Sequence, residues 1–218
     1  MSKGLFITFE GTEGCGKSTQ VELLARRMRA IGHRVRALRE PGGTPIGEEI
    51  RHTLKHSKNN AAMTAEAELL LMNASRAQLV REIIRPALAD GEIVLCDRFY
   101  DSTTAYQGYG RKLDLEMVTA VIDVAVGETR PDVTLLLKVS PEISELRRAM
   151  RQSTMPFVRD RFEEADKEFF ARVEKGFEAI ATAEPNRFRV LDGSGDLETV
   201  SEKIWEIVQP RLPKIGRW

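Results

Sequence analysis

The sequence predicts an α/β fold, with five strands in one parallel sheet and helices on both of its faces. Three observations lead there. Five short apolar runs alternate with stretches of helical periodicity along the chain. A glycine-rich octapeptide joins the first run to the first helical stretch. No linker, repeat or low-complexity segment divides the 218 residues, so residues 1–218 read as one domain of a size that buries a full core.

The first run, Leu5-Phe6-Ile7-Thr8-Phe9, leads into Gly11-Thr12-Glu13-Gly14-Cys15-Gly16-Lys17-Ser18, with Thr19 continuing into a helix. This is G-x-x-x-x-G-K-[ST] between a strand and a helix, the context in which it cradles phosphates. Glycines allow positive φ and bring backbone N–H groups close to a triphosphate, and the helix behind adds partial positive charge. Lys17 can then bridge the β- and γ-phosphates, and the Ser18 hydroxyl can serve Mg²⁺, an ion that prefers oxygen ligands.

Val21, Leu24, Ala25 and Met28 form the apolar stripe of this helix, which ends near Gly32, and a strand follows at Val35 to Leu38. The Arg39-Glu40-Pro41-Gly42-Gly43-Thr44-Pro45 turn then falls at the carboxyl end of that strand, the edge where ligands lie in open α/β sheets. Pro-Gly-Gly also makes an ordinary turn. Glu48 to Leu54 reads as a short helix carrying Arg51, and Ala65 to Leu88 as a long one in which Arg76 interrupts the apolar stripe. An inward arginine needs an anion; a ligand, or an acid such as Glu66, satisfies that need, as does snorkelling to water.

Ile93-Val94-Leu95-Cys96-Asp97 is a buried strand ending in a carboxylate, the Walker B pattern, which places Asp97 to hold Mg²⁺ or its waters. The hydroxyl- and aromatic-rich run from Arg98 to Gly108 suits a base and a sugar, or a capped helix with its aromatics in the core. A helix at Leu115 to Val126 and a strand at Val133 to Val139 follow. Next come Arg147, Arg148 and Arg151, Met155-Pro156-Phe157, then Arg159 and Arg161; proline divides two basic groups, as in a hinged flap over about 142–163. A helix from Asp166 to about Ala183, a strand at Phe188 to Leu191, the Asp192-Gly193-Ser194-Gly195 turn and a helix bearing Val200, Ile204, Ile207 and Val208 complete the pattern.

Lys plus Arg and Asp plus Glu number 33 each, a balance that argues against a general nucleic-acid or membrane surface. Cys15 and Cys96 lack disulfide or metal-ligand spacing and read as reduced thiols of a cytoplasmic protein. The segment before the first glycines is too short for a signal peptide or a spanning helix.

Together, Phe9-Glu10-Gly11, the phosphate loop, Arg39-Glu40-Pro41-Gly42-Gly43-Thr44, Asp97-Arg98-Phe99-Tyr100, Ala105-Tyr106-Gln107-Gly108, Arg130-Pro131-Asp132 and Asp160-Arg161-Phe162-Glu163 resemble the bacterial thymidylate kinases over nearly the whole chain. The resemblance implies a three-layer P-loop NTPase fold, a homodimer, and phosphorylation of thymidine 5′-monophosphate (dTMP) by MgATP. By the same resemblance Gly11 to Thr19 hold ATP, and Ser18 and Asp97 the metal. Arg51 and Arg98 take the acceptor phosphate, Arg76 and Gln107 the thymine edge, Thr103 a neighbouring contact, and Glu13 the sugar hydroxyl or a magnesium water. Glu40 belongs to the same acceptor site. Two departures stand out. The loop carries no arginine, so the flap must supply one, with Arg151 first and Arg159 and Arg161 open; and Met72 stands where many relatives stack a phenylalanine on thymine.

A phosphate acceptor is already ionised near neutral pH, so positioning and charge neutralisation should suffice without a general base. The rivals are another nucleoside monophosphate kinase and a deoxynucleoside kinase acting on a sugar hydroxyl, for which Glu13 or Glu40 would be the base. A GTP-binding switch would show Asn-Lys-x-Asp, which the sequence lacks.

Overall fold

Alternate side chains of a strand face opposite sides of a sheet, and in this protein that alternation builds two cores. The structure is a computed structural model that describes residues 4–154 and 166–214, with side chains described to residue 150 and again from 166. Strand β1 (Leu5–Glu10) is buried throughout. Its Leu5, Ile7 and Phe9 pack with Leu24 and Met28 of α1 (Lys17–Ala30) and with Ile204 and Trp205 of α9 (Leu197–Val208). Phe6 points the other way, edge-on to Phe99 with ring centroids 5.0 Å apart.

β2 (Val35–Arg39), β3 (Ile93–Asp97), β4 (Val133–Lys138) and β5 (Phe188–Asp192) complete a sheet of order β2-β3-β1-β4-β5. Every neighbouring pair is parallel, as expected from the alternation of apolar runs and helices. The three inner strands are nearly continuous apolar runs because both their faces are covered.

α2 (Pro45–Lys55) begins earlier than the apolar pattern suggests. Thr44 caps it, accepting from Gly47 N at 3.0 Å, and Pro45 sits where the missing N–H does no harm. The helix expected over 65–88 is continuous but uneven: α3 (Ala65–Leu79), a π-helical turn at Val80–Ile84, then α4 (Arg85–Ala89). Pro86 has no N–H to return to Glu82, so the ladder shifts just before it. The hydroxyl-rich run also proves helical, as α5 (Tyr100–Thr103) and a π-helical stretch, Thr104–Gly110. α6 (Leu115–Val126), α7 (Pro141–Thr154) and α8 (Lys167–Ala183) follow the periodicity.

Of the expected flap, α7 is described in its backbone; the Arg151 side chain, Pro156, Arg159 and Arg161 lie outside the described residues. Among the described residues, no helix is long and apolar enough to cross a membrane. β1, β2 and β3 end at Glu10, Arg39 and Asp97, and the loops leaving this edge carry the candidate site.

Candidate active site

Helices α2, α3, α6, α8 and α9 each begin with a side-chain cap, from Thr44, Thr64, Asp114, Asp166 and Asp196. Helix α1 does not. It starts from Gly16 in a left-handed conformation, with no capping side chain and no acid in its first turn, so its N–H groups and dipole stay available to an anion. Gly11 and Gly14 also have positive φ. At Gly14 the fit is double: φ is +76°, and a Cβ would lie 2.7 Å from the Ser144 carbonyl of α7. Ser144 Oγ donates to the Glu13 carbonyl at 2.6 Å, so α7 rests directly on the loop.

Lys17 Nζ donates to the carbonyls of Gly11 (3.1 Å) and Thr12 (2.8 Å), folding over the loop's mouth. Ser18 Oγ donates to the Asp97 carboxylate, which joins the two expected metal-binding residues at the end of β3. Beside the loop is a cleft of about 570 Å³, its open mouth included, lined by Cys15, Thr19, Gln20, Arg147, Gly193 and Asp196 among others. Arg147 Nη1 donates to Gly193 O at 2.9 Å, which closes one wall. Arg148 passes over Gly14, with its guanidinium 5.8 Å from the Phe170 ring.

A second cleft, enclosing about 430 Å³ with its open mouth included, lies across the loop and contains most of the expected acceptor residues: Glu13, Glu40, Met72, Arg76, Arg98, Thr103 and Gln107. Arg51 stands at its rim, donating to the carbonyl of Pro41, which does line the cleft. Arg98 occupies the boundary with the loop. Its Nη1 donates to Gly11 O (3.1 Å) and Ser102 Oγ (3.0 Å), and its Nη2 to Glu13 Oε1 (2.8 Å) and the Tyr106 hydroxyl (3.2 Å). Its φ of 70° is unusual for a non-glycine residue, a strain that surrounding bonds hold in place.

Arg76 is anchored from four sides. Nε donates to Glu40 Oε2 (2.7 Å), Nη1 to Asn73 Oδ1 (2.8 Å) and Thr103 Oγ1 (2.9 Å), and Nη2 to Phe99 O (3.2 Å). Its acid is therefore Glu40, from the Glu-Pro-Gly-Gly-Thr turn, and not Glu66. Glu40 acts first on Arg76; its other oxygen is buried without a partner. Gln107 Nε2 donates to Glu68 Oε1 at 2.8 Å, and Arg111 grips both oxygens of Glu68.

The charges are set by burial working against the arginines. Burial alone would raise the Glu13 carboxyl, but Arg98 and Lys17 together hold it well below the usual carboxylate range. Glu40 is pushed up to about 7 by burial, with Arg76 only partly offsetting it. Glu10, beneath the site, is also pushed up to about 7, first by burial and then by Asp101. Its oxygens accept from Phe99 N (2.8 Å) and Ser102 Oγ (2.5 Å). Because the folded value lies above the unfolded one of 4.5, this residue's contribution to stability is full below pH 4.5 and is lost as pH rises through 7. The loss is on the order of 3 kcal/mol. Glu10→Gln keeps an oxygen for the Phe99 and Ser102 amides and removes the titration, so its urea midpoint is expected to fall less between pH 5 and pH 8 than that of the parent. An equal fall in both proteins would show that Glu10 does not titrate in that window.

Several contributors escaped the sequence reading. Lys55 lines the acceptor cleft from the last turn of α2, Asn73 holds Arg76, and Ser144 fixes α7 to the loop. Lys55 falls four residues after Arg51, on the same helical face, and that spacing was the available signal. Asn73 and Ser144 carry none.

A family model described as Thymidylate kinase matches residues 9–204. The thymidylate kinase of Geobacter sulfurreducens is 45% identical over 212 residues, covering 97% of this chain and 99% of that protein. The thymidylate kinase of Deinococcus radiodurans is 46% identical over 213 residues, with 97% and 99% covered. Among solved structures, the crystal structure of thymidylate kinase from Ehrlichia chaffeensis superposes with a TM-score of 0.75 at 32% identity, covering 95% of this chain and all of that one.

Proposed function

The chain belongs to the thymidylate kinase family, and from that premise we propose that its two clefts hold the donor and the acceptor of one phosphoryl transfer. The enzyme converts dTMP to the diphosphate with ATP as donor. The observation that carries the site assignment is Arg98, whose guanidinium bonds the phosphate loop through Gly11 and the acceptor cleft through Ser102 and Tyr106.

In this reading the loop amides of Gly11 to Thr19 and Lys17 hold the ATP phosphates, and the base of ATP lies in the cleft beside Thr19 and Arg147. Arg98 and Arg51 take the dTMP phosphate, Arg76 and Gln107 the pyrimidine edge, Met72 the ring face, and Glu40 and Thr103 fix Arg76. Glu13 receives the sugar hydroxyl or a water of the metal. The nucleophile is a phosphate oxygen, ionised because the second phosphate pKa is about 6. No base has to remove a proton, and His33, His52 and His56 line neither cleft. What remains is repulsion between two anions, which Lys17, Arg98 and a flap arginine, Arg151 ahead of Arg159 and Arg161, neutralise.

Ser18 and Asp97 fit Mg²⁺. They are adjacent hard oxygen donors, and among the described residues no group of three or more His, Cys, Asp or Glu forms a metal cage. That suits an ion that takes few protein ligands and keeps water and phosphate oxygens. Bound there, Mg²⁺ would neutralise phosphate charge; the residues' part is to orient it.

We further place the chain in the cytoplasm as a single kinase domain with a flap at about 142–163, consistent with two free, buried cysteines. A homodimer is supported by α3 and α6, which pack together and expose Leu70 (58%) and Val124 (78%), with the less exposed Met117 (39%) on the same helical stripe as Val124.

The test is ADP formation from MgATP with each deoxynucleoside monophosphate in turn, with thymidine as the hydroxyl-acceptor control. Preference for dTMP by at least about a hundredfold in kcat/KM is expected, because a buried, directional acceptor site rejects a base that leaves its polar groups unpaired. Turnover of thymidine but not dTMP would move the chemistry to a sugar hydroxyl.

A further inference from the structure

Gln107 has two chemically opposite ends, and which one faces the acceptor cleft decides what base edge the cleft complements. The residue is 1% exposed and lines that cleft. Its Nε2 is committed to Glu68 Oε1 at 2.8 Å. Glu68, fully buried on α3, is gripped by Arg111, from Nε to Oε1 at 3.2 Å and from Nη2 to Oε2 at 2.9 Å. A carboxylate paired with a guanidinium offers only acceptors, so the end of the amide it meets has to be the NH₂. Turning the amide over would set two oxygens against each other in a buried site and leave the NH₂ without this partner. Arg111 is itself held, its guanidinium 4.7 Å from the Phe169 ring of α8.

The side-chain carbonyl oxygen of Gln107 is thus the end left for the cleft that the residue lines. Arg76 supplies the opposite polarity. A guanidinium has five N–H groups, and the bonds to Glu40, Asn73, Thr103 and Phe99 leave one on Nη2. The cleft therefore offers one acceptor and one donor. Thymine and uracil present N3–H and O4, which match; cytosine presents an unprotonated N3 and an amino group, which oppose both.

We propose that Glu68, clamped by Arg111, is a positioning residue that fixes the orientation of the Gln107 amide and through it selects a 4-oxo, N3–H pyrimidine over a 4-amino one. The inference rests on the reading that the acceptor base lies between Arg76 and Gln107.

The experiment measures kcat/KM for dTMP and for deoxycytidine monophosphate at saturating MgATP, in the full chain and in two variants. In Glu68→Gln, the shorter of Arg111's two bonds, from Nη2, retains the side-chain carbonyl at the place of Oε2, and the new NH₂ takes the place of Oε1 beside Gln107, which then shows its own NH₂ to the cleft. The dTMP-to-dCMP ratio is expected to fall at least about tenfold, with KM for ATP unchanged. In Glu68→Gln/Gln107→Glu, the carboxylate at position 107 accepts from position 68 with one oxygen and offers the other to N3–H, so the ratio is expected to return to within about threefold of the parent. A purely structural role would lower both substrates alike and gain nothing from the second substitution. The proposal is overturned if Glu68→Gln keeps the parental ratio, if it depresses both substrates equally, or if the double variant does not recover selectivity. Should Glu68→Gln not fold, the double variant decides: a parental ratio supports the proposal and a lost one overturns it. A parent enzyme without preference for dTMP over dCMP would overturn the base assignment itself, and with it the role of Glu68.

Discussion

Replacing Lys17 with alanine is expected to lower kcat by at least about a thousandfold while leaving the fold intact, since one preorganised charge aimed at the transferring group is worth several kcal/mol. The ammonium is buried, and burial together with Arg98 presses its pKa down. Cys15, Asp97 and Glu13 outweigh them, so the net direction is upward and the lysine stays charged at working pH. Its bonds to Gly11 and Thr12 are to two backbone carbonyls of one loop, so the cost of cutting it back falls on that loop and on Glu13, which Arg98 still holds, while the sheet and its two cores are untouched. Lys17→Arg should not rescue, because a planar guanidinium does not fit where a compact ammonium bends over the glycines. Single-turnover rates and urea midpoints check this together; a variant within about tenfold of the parent in rate would remove Lys17 from the transfer step.

The loop was legible because its chemistry is local. Glycine spacing, a strand before and a helix after are all contained in fewer than twenty residues, and the uncapped start of α1 is visible as Gly16 in place of a Thr or Asp. The strands were legible for the same reason, as short apolar runs. Partners of buried charges were not. Arg76 announced itself as a cation in an apolar stripe, but its acid, Glu40, lies 36 residues away and meets it only once β2, α3 and the turn between them are in place. Glu68 gave still less warning. An acid in the first turn of a helix reads as an ordinary dipole-compensating residue, and only the π-helical stretch over Thr104–Gly110 brings Gln107 and Arg111 onto it. Lone residues with long-range partners carry no sequence signature because the spacing that matters is in space.

Arg98→Ala is expected to reduce kcat/KM for dTMP by at least a thousandfold with KM for ATP nearly unchanged, because the residue spans the gap between donor and acceptor. The variant also carries a structural cost that has to be separated from the catalytic one. Glu13 is mostly buried, and with Arg98 gone its carboxyl rises, since burial is the largest influence on it and only Lys17 and Lys55 are left to oppose that influence. In the parent the folded value lies below the unfolded one, so the Glu13 contribution to stability is present above pH 4.5 and lost as pH falls through the folded value. In Arg98→Ala that contribution shrinks, and a loss of about 3 kcal/mol near neutral pH is expected from a buried charge without its partner. Glu13→Gln/Arg98→Ala removes the unpaired charge and should recover much of the stability, read as a urea midpoint, while the rate stays low. Glu13→Gln alone is the reference for rate: a double variant as fast as Glu13→Gln would make Arg98 a support for Glu13 and nothing more, whereas stability restored with dTMP turnover far below that of Glu13→Gln assigns the guanidinium to the transferring phosphate.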